Sequence, residues 1–203
     1  RRLGTQMGER IGDAAVDFEG AKDAMRSRET NLGSLVADVM REAAGADVAL
    51  VNGGTIRAGI PAGPVTVGAV YNALPFDNWL ISFAVTGKEL RAALETGVSR
   101  VEVGDGGFPQ VSGMRYVFDP RKPAGGRILS IEVGGAPLEE TRTYVLATHD
   151  FLAAGGNGYT VFAGREPVYN DSGRWLRDVL AEWWRRRGSI APAADGRIAA
   201  AGP

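Results

Sequence analysis

The chain contains no cysteine and a single histidine. The first absence removes disulfides, thiol nucleophiles and thiolate-held metals together. The second leaves too few imidazoles for the usual histidine-rich hydrolytic metal centre. No D-x-D-x-D-G cluster offers an all-carboxylate alternative. A G-x-x-x-x-G-K-[ST] phosphate loop and a G-x-S-x-G nucleophile elbow are also missing. There is no run of about 18 or more apolar residues, so no membrane-spanning helix is expected. Arg1-Arg2-Leu3-Gly4 leads into mixed polar sequence without a secretory apolar region. That start fits a cytosolic protein, a mature secreted one or a piece of a longer chain. Neither sign of charge dominates: 23 basic residues face 24 acidic ones, for a net charge of −1. Such a balance gives no reason to expect nucleic acid or an anionic membrane as partner.

What is present is enough apolar material for a core. At 203 residues and 44% hydrophobic, the chain fits one domain, or at most two small ones. Its 29 glycines and 10 prolines lie at turns between apolar runs, as in a loop-rich globular domain.

Residues 1–28 read as a weakly structured entry, apolar near Ile11–Phe18. Thr30-Asn31 offers an N-cap to a helix whose apolar positions are Leu32, Leu35, Val36, Val39 and Met40, and Gly45 stops it. Asp47–Val51 reads as a buried strand ended by Asn52-Gly53-Gly54. A short helix is expected over Thr66–Ala73, a strand over Trp79–Thr86 and an amphipathic helix over Lys88–Arg100. Strands follow at Gly113–Phe118, Ile128–Val133 and Thr143–Thr148, with Gly134-Gly135 as a hairpin turn. Ser172 is expected to cap a last helix carrying Trp175, Leu176, Val179, Leu180 and Trp183, closed by Arg185-Arg186-Arg187-Gly188. Helices and strands mix without regular alternation, which disfavours a doubly wound parallel sheet.

The stretch T-H-D-F-L-A-A-G-G-N-G-Y, Thr148–Tyr159, holds the lone histidine beside Asp150. Neighbours in a strand point to opposite faces, so His149 and Asp150 do not readily form a catalytic dyad. A histidine satisfied by hydrogen bonds at a strand end is the simpler reading, with Asp150 capping or bracing the loop that follows.

Binding chemistry remains. Asn52-Gly53-Gly54-Thr55-Ile56-Arg57 follows a buried strand. Its glycines allow close backbone approach, Asn52 both donates and accepts, and Arg57 offers a planar fork for phosphate. A plain turn with a surface arginine accounts for the same residues. Arg26 and Arg28 share a face if their segment is extended before a helix N-terminus, where an anion is favoured. A solvated pair, partly neutralised by Glu29, is the alternative. Phe76 and Phe151 each sit among polar turn residues and are suited either to sandwiching a flat heterocycle or to ordinary core packing.

Taken in order, the arginines, N-G-G-x-I-R, the P-F turn and D-F-x-x-x-G-G-x-G-[YF] resemble the C-terminal, substrate-binding domain of the 5′-nucleotidase family. That family includes UDP-sugar hydrolases, 2′,3′-cyclic-nucleotide phosphodiesterases and ecto-5′-nucleotidases. The likeness runs from about Ile11 to Arg187. It implies an α+β domain with layers ordered helix, sheet, sheet, helix and mixed sheets, filling residues 1–203. It also implies an N-terminal calcineurin-like metallophosphoesterase domain elsewhere in a parent chain. That partner domain carries two divalent metal ions and the catalytic His-Asp pair; this domain needs no cofactor and supplies no catalytic residue.

By the same resemblance, Arg26 and Arg57 hold the substrate phosphate, with Arg28 a weaker third. Asn52 faces the base, Phe76 and Phe151 stack on either side of it, and position 157 meets the sugar. The expected partner molecule is a nucleotide or nucleoside, and the expected location is periplasmic, secreted or cell-surface attached. Two departures stand out. Thr55 replaces the third glycine of N-G-G-G-I-R, and a β-branched residue tolerates positive φ poorly, so a differently shaped loop is expected. Asn157 replaces the aspartate of G-G-D-G that accepts from ribose hydroxyls, which weakens the sugar contact or shifts the ligand. A non-catalytic or repurposed binding module that no longer prefers nucleosides is the rival expectation.

Overall fold

The computed structural model describes residues 6–192 and 194–202. The first five residues of the expected entry segment therefore lie outside the described residues. The rest of that entry is structured: β1 (Arg10–Ala14) pairs antiparallel with a later strand, and Lys22–Met25 form a one-turn helix, α1. The sequence pattern there is too short and polar to announce a strand.

α2 (Asn31–Ala44) starts where the Thr30 hydroxyl accepts from the Gly33 N–H at 3.0 Å, a cap worth about 1 kcal/mol. It stops at Gly45, whose φ of 59° suits a residue without Cβ. β2 (Val48–Asn52) is buried along its whole length. β3 (Gly63–Thr66) leads into α3 (Val67–Ala73), capped by the Thr66 side chain. β4 (Trp79–Thr86) passes into α4 (Gly87–Val98) through a capping box in which Thr86 and Glu89 satisfy each other's backbone N–H groups.

β5 (Pro109–Ser112) and β6 (Met114–Phe118) divide at Gly113, which has a φ of 73°. β7 (Ile128–Val133) and β8 (Ala136–Pro137) form the hairpin expected at Gly134-Gly135. β9 (Thr143–His149) runs straight into a short helix, α5 (Asp150–Ala153). β10 (Pro167–Trp175) and α6 (Leu176–Arg187) follow, then the two short strands β11 (Ser189–Ile190) and β12 (Ile198–Ala200).

The last helix departs from expectation. Ser172 is not a cap; it lies inside β10, and Trp175 is the N-cap residue of α6. β10 pairs with β4 through two irregularities in register, so its P-V-Y-N-D-S-G-R-W sequence carries no clean alternation to read.

A five-stranded sheet ordered β10-β4-β9-β2-β5 forms the centre. It is antiparallel except for β2 beside β9, which run parallel. Alternate residues of β2 serve two cores: Ala49 and Val51 face α2, α6 and β1, while Val48 and Leu50 face α4, β6 and β7. A four-stranded sheet, β12-β6-β7-β8, and a three-stranded one, β11-β1-β3, complete the fold. These two also mix strand directions, since β12 joins β6 and β11 joins β1 in parallel. The class is α+β with mixed sheets, as expected.

Candidate ligand-binding cleft

Because β2 and β9 are parallel neighbours, the loops that leave them emerge at the same edge of the sheet. The N-G-G-T turn after β2 and the D-F helix after β9 are thus brought together. The turn after α3, carrying Pro75-Phe76, joins them, and a fourth segment, Gly104–Gly107, closes the floor.

The turn after β2 needs no left-handed backbone at Thr55. Gly53–Thr55 is a single 3-10 turn, and among the described non-glycine residues only Asn157 has positive φ. The β-branched side chain of Thr55 sits in ordinary helical geometry, buried, with its hydroxyl donating to Asn52 Oδ1 at 2.6 Å. Gly53 does require its small size, because a Cβ there would lie 2.1 Å from the Met25 carbonyl oxygen.

Asn52 organises the floor. Its Nδ2 donates to the Gly106 carbonyl at 2.9 Å, and the Gly54 N–H reaches the same oxygen at 2.8 Å. The Gly53 N–H donates to the Phe108 carbonyl at 2.8 Å, and the buried Tyr159 hydroxyl to the Gly107 carbonyl at 2.7 Å. Arg26 donates from Nη1 to the Gly104 carbonyl at 3.2 Å. The Gly104–Gly107 segment, which belongs to none of the motifs picked out in the sequence, is held at three of its carbonyls; its G-D-G-G run was the available signal.

His149 is fully buried, and its Nε2 lies 2.8 Å from Asn52 Oδ1 and 3.1 Å from Thr55 Oγ1. With Asn52 Nδ2 directed at a carbonyl, Oδ1 is an acceptor, so His149 carries its proton on Nε2. Its buried Nδ1 has no partner. Burial pushes the imidazole pKa down to about 3, so the ring stays neutral. The ring lies parallel to Phe151, 7° between planes and 6.2 Å between centroids. His149 therefore bonds Asn52 and Thr55 through Nε2 and lies beside the Phe151 ring, and the expected satisfaction by hydrogen bonds is met at one ring nitrogen only. Asp150 also differs from expectation. Rather than capping or bracing the loop that follows, it reaches back across the sheet, and its Oδ1 accepts from Asn78 Nδ2 and the Trp79 N–H.

The cleft so formed holds about 310 Å³. Of the seven residues singled out in the sequence, Arg26, Asn52, Arg57, Phe76, Phe151 and Asn157 line it, and Arg28 does not. The segment Arg26–Arg28 is a turn after α1 and not extended, so the two arginines diverge. Arg28 instead bonds Glu19 at 2.7 Å. Phe76 and Phe151 remain 46% and 45% exposed although both are large and apolar, and the Arg57 guanidinium lies 5.8 Å from the Phe76 ring centre. Asn157 adopts φ 52° and ψ 27°, a left-handed conformation that asparagine tolerates better than most residues. Asn78 and Gly106 also line the cleft and were not foreseen. No aspartate or glutamate is among its lining residues, so its fixed charges are the two arginines. Among the described residues no three His, Cys, Asp or Glu side chains converge to hold a metal ion, and no helix is long and apolar enough to cross a membrane.

Comparisons with known proteins bear on the fold and the family. The family model described as 5′-nucleotidase, C-terminal domain, matches residues 10–164. The trifunctional nucleotide phosphoesterase protein YfkN of Bacillus subtilis is 39% identical over 94% of this chain, which spans 14% of that protein. A snake venom 5′-nucleotidase from Crotalus adamanteus is 32% identical over 93% of this chain, which spans 36% of it. A solved 5′-nucleotidase precursor from Thermus thermophilus superposes with a TM-score of 0.92 at 40% identity, covering 98% of this chain and 41% of that one. This chain therefore spans well under half the length of each of these relatives. It belongs to the 5′-nucleotidase C-terminal domain family.

Proposed function

We propose that this domain binds a nucleotide and positions its phosphate for hydrolysis by an N-terminal metallophosphoesterase domain of the same parent chain. The observation that carries the reading is the convergence of two arginines and two half-exposed phenylalanines in one cleft of about 310 Å³. The base lies between Phe76 and Phe151, where stacking contributes about 1–3 kcal/mol. One N–H of Asn52 remains for the base edge, since Oδ1 and the other N–H are already engaged. Arg57 and Arg26 take the phosphate as charge-assisted donors, and Asn157 meets the sugar through one acceptor and one donor.

The chemistry of phosphate-ester cleavage belongs to the two divalent metal ions of the partner domain. This domain contributes orientation: it fixes the ligand so that the phosphate is presented in one pose. Its own side chains supply no nucleophile, and His149 is buried, neutral and turned inward. By family likeness the parent enzyme works in the periplasm, at the cell surface or outside the cell.

Calorimetric titration of the chain with AMP and with adenosine tests the reading. Both bind, AMP more tightly because of the arginines, and no phosphate is released from AMP. Unchanged affinity in Phe76→Ala and Phe151→Ala would sink the sandwich. Asn157 favours a second reading, in which the parent is a repurposed binding protein that no longer prefers nucleosides. Intact metal-binding D-x-H, G-N-H-[DE] and G-H motifs upstream in the parent gene would reject it.

A further inference from the structure

Arg177 is a buried cation for which nucleotide binding assigns no task. It stands in the first turn of α6, and its guanidinium reaches into the turn that carries Phe76. Nη1 donates to the Phe76 carbonyl at 2.9 Å and to the Pro75 carbonyl at 3.2 Å, while Nη2 pairs with the Asp77 carboxylate. The guanidinium carbon lies 4.2 Å from the Trp175 ring centre and 4.7 Å from that of Tyr71. The preceding residue, Leu176, donates its N–H to the Asn78 carbonyl at 2.7 Å. Four consecutive residues of the turn, Pro75 to Asn78, are therefore fastened to the start of α6.

Burying a charge is expensive, and apolar residues of similar volume often stabilise a fold as well or better. What an apolar side chain cannot do is address two carbonyls and a carboxylate in fixed directions from one plane. The Phe76 ring projects from this turn half into solvent, with the Arg57 guanidinium above it. The height of the ring follows the backbone of the turn, which Arg177 holds at the Pro75 and Phe76 carbonyls.

We propose that Arg177 is a positioning residue that sets the width of the slot between Phe76 and Phe151, with Tyr71 and Trp175 holding its guanidinium in plane. The assignment rests on the nucleotide reading for its ligand and on the turn geometry alone for its structural part. It separates two classes of ligand. Compounds with a base feel the slot; ribose 5-phosphate, which has none, does not.

The test compares wild type with Arg177→Met and Arg177→Lys in two measurements. Calorimetry with AMP and with ribose 5-phosphate should show AMP binding about tenfold weaker in Arg177→Met, with ribose 5-phosphate unchanged. In a Phe76→Ala background the Arg177 change should add no further loss of AMP affinity. Equal loss for both ligands, or full additivity with Phe76→Ala, overturns the proposal. The second measurement needs no ligand: ¹⁵N relaxation of the amides of residues 76–79 should report larger amplitude motion in Arg177→Met, with Arg177→Lys between the two. A turn as rigid in the variant as in the wild type overturns the clamp. If wild type does not bind AMP, the nucleotide reading fails, and the relaxation data still decide the clamp. If Arg177→Met does not fold, Asp77→Asn, at an exposed carboxylate, loosens the same turn and is read in the same two ways.

Discussion

Asp150 holds Asn78 with one carboxylate oxygen, at 3.0 Å, and the same oxygen takes the Trp79 N–H at 3.1 Å. The contact joins the residue immediately before Phe151 to the turn that carries Phe76. Two walls of the cleft, far apart in sequence, are therefore tied at one atom. Asp150→Ala should lower unfolding free energy by about 1–3 kcal/mol, the range for a partly buried hydrogen-bonded charge. Asp150→Asn, which keeps an acceptor oxygen, should lose less. Urea denaturation gives both values, and AMP titration should show weaker binding in the alanine variant.

Thr55 offers a second test, because it is a buried polar residue at the floor of the cleft. Its hydroxyl supports both Asn52 and His149 in a buried network. Thr55→Gly should therefore destabilise the chain by about 1–3 kcal/mol, from a lost hydroxyl and greater backbone freedom. Thr55→Ser, which keeps the hydroxyl, should recover most of it. Thermal unfolding of the pair measures the difference.

The burial of His149 predicts a pH dependence. Its folded pKa is pushed down to about 3, against an ordinary value of 6.5. Between those values the unfolded chain binds a proton that the folded chain refuses, so stability is complete above pH 6.5 and falls as pH drops toward 3. The slope approaches about 1.4 kcal/mol per pH unit. His149 is the only histidine, and from about pH 6.5 to 5 carboxylates contribute little, which isolates it. Urea midpoints across that window should fall in wild type and stay level in His149→Gln.

Asn157 separates backbone from ligand. Its positive φ means that Asn157→Ala should cost about 1 kcal/mol of stability while Asn157→Gly costs little. Asn157→Asp should leave stability nearly unchanged and strengthen adenosine binding, since a carboxylate accepts from both ribose hydroxyls. Adenosine affinity that is the same in Asn157→Asp and wild type would remove residue 157 from sugar recognition.

Much of this fold was legible because local signals and tertiary roles coincide. Thr30 and Gly45 bracket α2 as caps should, and the apolar run Val48–Val51 is buried on both faces as its composition demands. β10 was not legible, since an edge strand with broken register leaves polar and apolar residues out of phase. The last helix therefore begins at Leu176, later than its sequence suggests. In the cleft, six of the lining side chains are singled out in the sequence, while Asn78, which acts through its amide, and Gly106, which acts through its carbonyl, are not. Gly106 contributes an oxygen that any residue type possesses, so beyond the G-D-G-G run nothing in its chemistry marks it. Arg28 failed for the opposite reason: its chemistry was suitable, but a turn directed it to Glu19.

The parallel course of β2 and β9 has a consequence for engineering. Both strands are largely buried below the cleft, while the turns after them rise side by side above the sheet edge. The turn after β2 is itself buried at Gly53 and Thr55, so the positions open to change are the exposed side chains around the mouth of the cleft. A library confined to Arg57, Phe76, Phe151 and Asn157 would vary the contents of the cleft while leaving the strand register to hold it in place.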